Sequence, residues 1–357
     1  MKGLADTSHS VNYNMNPTLS LIVPVFNGSR WLEPCLRSIQ QQTYTDFECI
    51  VIDDASRDNS EAILKKYCSA DPRFRFLQHI NNQGAAYAKR TGIMAARGQY
   101  VLCIDQDDWI ESSMVEQLYA KAQLTHADMV YCHYLEESYG ETIPLYQDPV
   151  DSNKETTIKD ILSWGSYFPA LWNKLTRTSL LRDIYFPKAT YSEDRAIISQ
   201  VINAINNSAG VAEHLYHWRD EPTSTSRSAK RDLQNIIDDY QCYTTIIQAL
   251  ALDNRTGLRT FETSVLAHLD KLASQFPGNH NIINSYRLSV SKIIQHLSGN
   301  ENSSNFLEEE IRSSIAKFKS QNAWNFSKHI RRSGYFIYSK MRPASIRKLF
   351  HRIRGSN

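Results

Sequence analysis

Apolar runs and amphipathic stretches alternate regularly over the first 220 positions. Leu19-Ser-Leu-Ile-Val-Pro-Val-Phe26 is nearly all apolar and ends at Asn27-Gly28, which predicts a buried strand. Pro24 sits at its far end, where a missing donor is tolerable. Trp31 to Gln42 carries Trp31, Leu32, Cys35, Leu36 and Ile39 at helical spacing. Phe47–Ile52 reads as a second strand, followed at once by Asp53, Asp54 and Ser56. Glu61–Tyr67 predicts a helix, Phe74–Leu77 a strand, and Gly84–Arg97 a helix stopped by Gly98. Tyr100–Ile104 is the next strand, Met114–Ala122 a helix and Ala127–Cys132 a strand. A polar connector (Glu136 to Glu155) leads to Ile158–Leu162 and Ala170–Leu175. Glu193-Asp194 then opens an amphipathic helix of Ile197, Ile198, Val201, Ile202 and Ile205, and His214–Arg219 reads as a last strand. From Leu233 to Ile315 apolar residues recur every three or four positions, which predicts helices.

Alternating strands and helices predict right-handed crossovers and an α/β fold: a mostly parallel, Rossmann-like sheet with helices on both faces, followed by a helical C-terminal region. Ligands in such sheets sit at the carboxyl ends of the strands. Asn27, Asp54 and the Asp105-Gln-Asp-Asp108 run all fall there. The first strand is followed by neither G-x-G-x-x-G nor G-x-x-x-x-G-K, so a dinucleotide fingerprint and a P-loop are both excluded. The organisation expected is a disordered N-terminus (1–17), the α/β domain (18–227), a helical region (228–320) and a basic tail (321–357).

Asp105, Asp107 and Asp108 crowd three carboxylates into four positions just past a strand. In an extended chain Asp105 and Asp107 share a face. Carboxylates so close repel one another and are costly to desolvate, so they favour a cation. Sparse oxygen ligands suit Mn²⁺ or Mg²⁺ shared with a phosphate. The competing reading is a polar loop in which one Asp caps the helix beginning near Glu111.

The remaining composition narrows the class. The chain of 357 residues has a net charge of +2, which argues against a nucleic-acid partner by bulk electrostatics. Six cysteines show no C-x-x-C spacing and read as small apolar fillers in a reducing compartment. With no apolar run of membrane-spanning length and no signal-peptide pattern, a cytoplasmic location is expected. From Gln321 onward there is no acid, while nine basic residues lie among apolar ones between Asn325 and Arg354. Ile346, Leu349, Phe350 and Ile353 would form one helical stripe. This reads either as an interfacial anchor on the anionic inner face of the membrane or as a docked helix with a solvated basic side.

Residues 18–227 resemble the family 2 glycosyltransferases of GT-A fold. The resemblance is carried by Ser20-Leu-Ile-Val-Pro-Val-Phe-Asn27, Val51-Ile-Asp-Asp-Ala-Ser56, Asp105-Gln-Asp-Asp108 and Ser192-Glu-Asp194, in that order. Trp172-Asn-Lys-Leu175 adds a fifth similarity. The resemblance implies an inverting transferase acting from a UDP-sugar on a glycan or lipid-linked hydroxyl, in bacterial-type surface polysaccharide synthesis. Pro24, Phe26, Asn27, Asp54, Lys89, Asp105, Gln106 and Arg219 would contact the donor, with Asp54 on the uracil and Asp105 on the ribose. Asp107 and Asp108 would hold the metal, and Asp194, with Glu193 second, would be the base. Lys89 stands where the family usually has Arg, keeping the charge without the planar fork. Arg219 could close over the diphosphate or lie in a solvated loop, and Trp172 could stack on an acceptor sugar or sit in the core. Two other readings remain: a nucleotidyltransferase, disfavoured by the missing Gly-rich phosphate loop, and a non-catalytic carbohydrate-binding scaffold.

Overall fold

The computed structural model describes residues 17–138, 140–162, 166–187 and 193–220. The helices expected over 233–315 and the basic tail lie outside these residues. The elements run β1 (Leu19–Val25), α1 (Leu32–Gln40), β2 (Phe47–Asp53), α2 (Ser60–Ala70), β3 (Phe74–Gln78), α3 (Ala85–Ala95), β4 (Tyr100–Cys103), β5 (Trp109–Ile110) and α4 (Met114–Thr125). They continue with β6 (Met129–Ser138), β7 (Glu141–Leu145), α5 (Lys154–Leu162), β8 (Lys174–Arg177), α6 (Thr178–Asp183), α7 (Glu193–Ala204) and β9 (Ser208–Arg219).

One sheet carries all of these strands in the order β3-β2-β1-β4-β8-β6-β9-β5, with β7 paired to β6 beyond the stretch that β8 pairs. The expected parallel arrangement holds for β3-β2-β1-β4. Beyond β4 the direction changes: β8 is antiparallel to both β4 and β6, β9 is parallel to β6, and β5 is antiparallel to β9. The sheet is therefore mixed. Its parallel half carries the nucleotide-type strand ends and its other half brings α7 and β9 round to face them.

Side chains of β1 are buried on both sides, as a sheet covered by helices on each face requires. Leu19, Leu21, Val23 and Val25 pack with Leu32, Cys35, Leu36 and Ile39 of α1 and with Met114, Val115 and Leu118 of α4. Ile22 packs on the other face with Ala88 and Ile93 of α3 and with Ile197, Ile198, Val201 and Ile202 of α7. The Ile104 N–H still bonds the Ile22 carbonyl at 2.9 Å, and Pro24, which has no N–H to return to β4, ends that ladder at Ile22↔Cys103.

Gly92 lets α3 lie directly on β1 and β2. A Cβ there would come within 2.5 Å of Ile22 Cγ2 and 2.7 Å of Ile52 Cδ1. This close approach sets the depth of Lys89, one turn earlier on the same helix. Glu48, buried beneath the end of α3, accepts from Ser20 Oγ (2.9 Å) and the Arg97 N–H (2.7 Å) and pairs with Arg75. Burial opposes its charge, but those donors win and its pKa is lowered. Among the described residues the cysteines are free, with Cys35, Cys49, Cys103 and Cys132 buried, as apolar fillers would be.

Candidate active site

The carboxyl ends of β1, β2 and β3 open onto a cleft of about 730 Å³, lined by Phe26, Asn27, Arg57, His79, Asn81 and Asn82 among others. Its walls are built from special backbone. Asn27 (φ 49°) and Ala55 (φ 62°) both adopt the left-handed region, which costs energy at a residue carrying a Cβ. They are held there by cross-bonds: the Asn27 N–H donates to Ser56 Oγ (2.9 Å), and the Arg57 N–H donates to Asn27 Oδ1 (2.8 Å).

Asp54, expected on the uracil, lies behind the wall of this cleft. Its carboxylate is buried and accepts from the Gln83 N–H (2.9 Å) and the Gly84 N–H (2.7 Å) at the start of α3. His79 Nδ1 lies 2.6 Å from it, and the other ring nitrogen lies 2.9 Å from Thr91 Oγ1. These bonds tie β2 to α3, so Asp54 shapes the wall behind the cleft, and its two oxygens keep acceptor capacity beyond the two backbone donors.

The loop from Asp105 to Trp109 lies beside the cleft and is pinned on two sides. Gln106, expected on the donor, spends its amide on the end of β1: Phe26 N–H donates to Oε1 (2.9 Å) and Nε2 donates to the Phe26 carbonyl (3.1 Å). Gly28 leaves room for it, since a Cβ there would overlap Gln106 Oε1. Asp108, expected on the metal, is buried and accepts from Tyr216 Oη and the Arg219 N–H, each at 2.7 Å. Both its oxygens serve to anchor the loop to β9, so Asp107 is left as the carboxylate for a cation. Tyr216 also accepts from the Asp105 N–H (3.1 Å), a role nothing in the sequence signalled.

Arg219 is not a solvated side chain. Its guanidinium lies 4.1 Å from the Trp31 ring centroid and 4.7 Å from that of Trp109, while Nε donates to the Asp107 carbonyl (2.9 Å). Cation–π contacts on two indoles hold this charge beside Asp107. Trp172 is a core residue: Tyr216 stacks on it at 4.2 Å and Tyr134 meets it edge-on at 4.9 Å. At 4% exposure no ring face is left for an acceptor sugar.

Lys89 joins the two halves of the site. Its ammonium, 3% exposed, lies 2.9 Å from Asp194 Oδ1, 3.7 Å from Asp105 Oδ1 and 3.9 Å from Glu193 Oε1. Burial works against the charge, but Asp105, Asp194 and Glu193 outweigh it and hold the pKa well above the usual lysine range. The second oxygen of Asp194 accepts from the Leu171 N–H at 3.4 Å. Burial, partly offset by Lys89, raises Glu193 to about 8. Asp107 is raised to about 6, by burial first and then by Asp105. Excess negative charge of this kind is what a divalent cation would relieve. No three His, Cys, Asp or Glu side chains converge on one metal-sized point among the described residues. Asp107 would thus share an ion with phosphate oxygens and water, the manner of binding Mg²⁺ and Mn²⁺ prefer.

A curled, mixed sheet with acids at its parallel strand ends and an acidic helix facing them is the GT-A architecture. The comparisons agree. The family model for glycosyl transferase family 2 matches residues 20–185. Glycosyltransferase GlyG of Streptococcus pneumoniae is 30% identical over 224 residues, which are 60% of this chain and 74% of GlyG. The uncharacterized glycosyltransferase EpsJ of Bacillus subtilis is 37% identical over 220 residues, 59% of this chain and 63% of EpsJ, so the match spans somewhat less than two thirds of that relative. Among solved structures, Staphylococcus aureus TarS (residues 1–349) superposes with a TM-score of 0.60 at 20% identity, covering 77% of this chain and 80% of TarS. TarS has also been solved with UDP-GlcNAc. The chain belongs to glycosyltransferase family 2.

Proposed function

We propose that this chain transfers a sugar, with inversion, from a UDP-sugar to a hydroxyl of a glycan or lipid-linked glycan, assisted by Mn²⁺ or Mg²⁺. The observation that carries the reading is the placement of Asp105 and Asp194 on one buried ammonium, which sets a donor-side acid opposite an acceptor-side acid. The similarity in fold to TarS, which binds UDP-GlcNAc, supports a uridine nucleotide.

In this reading the base lies in the cleft between Phe26 and the 79–82 segment, and Asp105 holds the ribose. Asp107 holds the metal, which when bound would stabilise the charge developing on the departing diphosphate. Asp194 accepts the proton of the attacking hydroxyl. Lys89 holds that carboxylate in place, and Arg219 adds a fixed positive charge beside the leaving group. UDP release from a panel of UDP-sugars, with Mn²⁺, Mg²⁺ or a chelator, tests it. At least one donor should yield UDP in a metal-stimulated manner. UDP binding without release from any donor would favour the carbohydrate-binding scaffold, and release of pyrophosphate would favour a nucleotidyltransferase.

The basic tail is part of the same proposal, because an anionic membrane would bring a lipid-linked acceptor to the site. Each basic residue near such a surface contributes about 1 kcal/mol. No described helix is long and apolar enough to cross a membrane. The full chain should co-sediment with anionic vesicles and lose binding in high salt, and a chain truncated after Gln321 should not bind. Equal binding by both chains would rule the anchor out.

A further inference from the structure

Lys174 is a buried cation that the chemistry above does not use. It is 1% exposed, and its ammonium meets four oxygens: the Asn173 Oδ1 at 2.7 Å, the Ala170 carbonyl at 2.8 Å, the Gln147 Oε1 at 2.9 Å and the Phe168 carbonyl at 3.0 Å, with the Tyr167 ring centroid 5.5 Å away. Burial draws its pKa down to about 7. Even so, four acceptors around one nitrogen suit an ammonium with three donors better than an amine. The informative partner is Ala170. Its carbonyl and the Leu171 N–H belong to one peptide unit, and that N–H donates to Asp194 Oδ2. In a trans peptide the two groups point in opposite directions. Lys174 therefore grips one edge of a planar unit whose other edge meets the proposed base.

We propose that Lys174 is a positioning residue that sets Asp194 for the transfer reaction through the Ala170–Leu171 peptide. The ammonium fixes the plane of that peptide and polarises its N–H toward the carboxylate, while Lys89 holds the opposite oxygen. Asp194 is thereby restrained at both oxygens, with its orientation determined from beneath the acceptor side. Phe168, on the same gripped turn, packs on Trp172 and near Trp218, so the turn also carries part of the aromatic wall. The inference rests on Asp194 being the base.

A double-mutant cycle separates the inference from that reading. Lys174→Met should lower the rate of UDP release, with the donor selected by the panel above, by roughly 10- to 100-fold, the cost of a misplaced catalytic group. UDP affinity, measured by calorimetry, should stay within about twofold. In an Asp194→Asn background, Lys174→Met should cost less than about twofold more, because groups that act as a unit are not additive. A similar loss in both backgrounds would show a general structural role and overturn the proposal. If Asp194→Asn alone left the rate unchanged, the reading of Asp194 as base would fail, and this inference with it. Near-UV circular dichroism establishes that each variant is folded. Should Lys174→Met not fold, Gln147→Leu removes one of the four oxygens while keeping the ammonium. Its smaller loss should likewise vanish in the Asp194→Asn background, and persistence of the loss there would overturn the proposal.

Discussion

Asp107→Asn should reduce UDP release by about 10²–10³-fold, because removal of a metal ligand forfeits several kcal/mol of stabilisation on the leaving group and each 1.36 kcal/mol is tenfold in rate. The carboxylate is not bonded across to another strand, unlike that of the adjacent Asp108, which Tyr216 and Arg219 tie to β9. Its pKa is raised to about 6, so above that pH the folded protein carries the charge at a cost. The Asn variant should therefore melt at the same temperature or higher at pH 7.5, with the difference shrinking as the pH falls below 6. Mn²⁺ with UDP should raise the melting temperature of the wild-type protein and leave the variant unmoved. A variant with normal turnover at limiting Mn²⁺, or one still stabilised by the ion, would remove Asp107 from the metal site.

Asp194→Asn should lower the rate by about 10²–10⁴-fold, the usual span for loss of a general base, with UDP affinity unchanged. Glu193→Gln should cost much less. Burial raises Glu193 to about 8, so near pH 7 it is largely protonated and cannot accept a proton. Asp194 instead has Lys89 2.9 Å from one oxygen and the Leu171 N–H on the other, which holds it in one orientation. Collapse of UDP-sugar affinity in the Asp194 variant would place this residue on the donor side, and a larger defect in Glu193→Gln would reverse the two assignments.

The first half of the sheet was legible because apolar runs such as Leu19–Val25 and Phe47–Asp53 are buried on both faces and have strong boundaries. Strand direction beyond β4 was not, since the period of two that marks a strand is the same whichever way it runs. β7 escaped notice inside a polar connector: as the edge partner of β6 it is largely exposed and carries Pro144, so it shows no apolar alternation. β5 is only Trp109–Ile110, too short for any pattern.

The acids of the site were legible by type and spacing, and their division of labour was not. Asp107 and Asp108 are neighbours in the chain. What distinguishes them is Tyr216 and Arg219, residues more than a hundred positions away. Trp172 looked equally suited to core and sugar until Tyr216 and Tyr134 covered it. Lys89 was noticed as a departure from the family's usual Arg, but the acid it meets lies on α7, a contact that only the turned second half of the sheet creates.

The double pinning of the Asp105–Trp109 loop, by Gln106 on β1 and by Asp108 on β9, divides the site into parts that can drift and parts that cannot. A change in the loop disturbs two distant strands at once, so a substitution there costs folding as well as chemistry. Ile80 carries no such debt: it is 95% exposed on the rim of the cleft. New nucleotide preferences in this lineage would arise on that rim, leaving the reacting centre as it is.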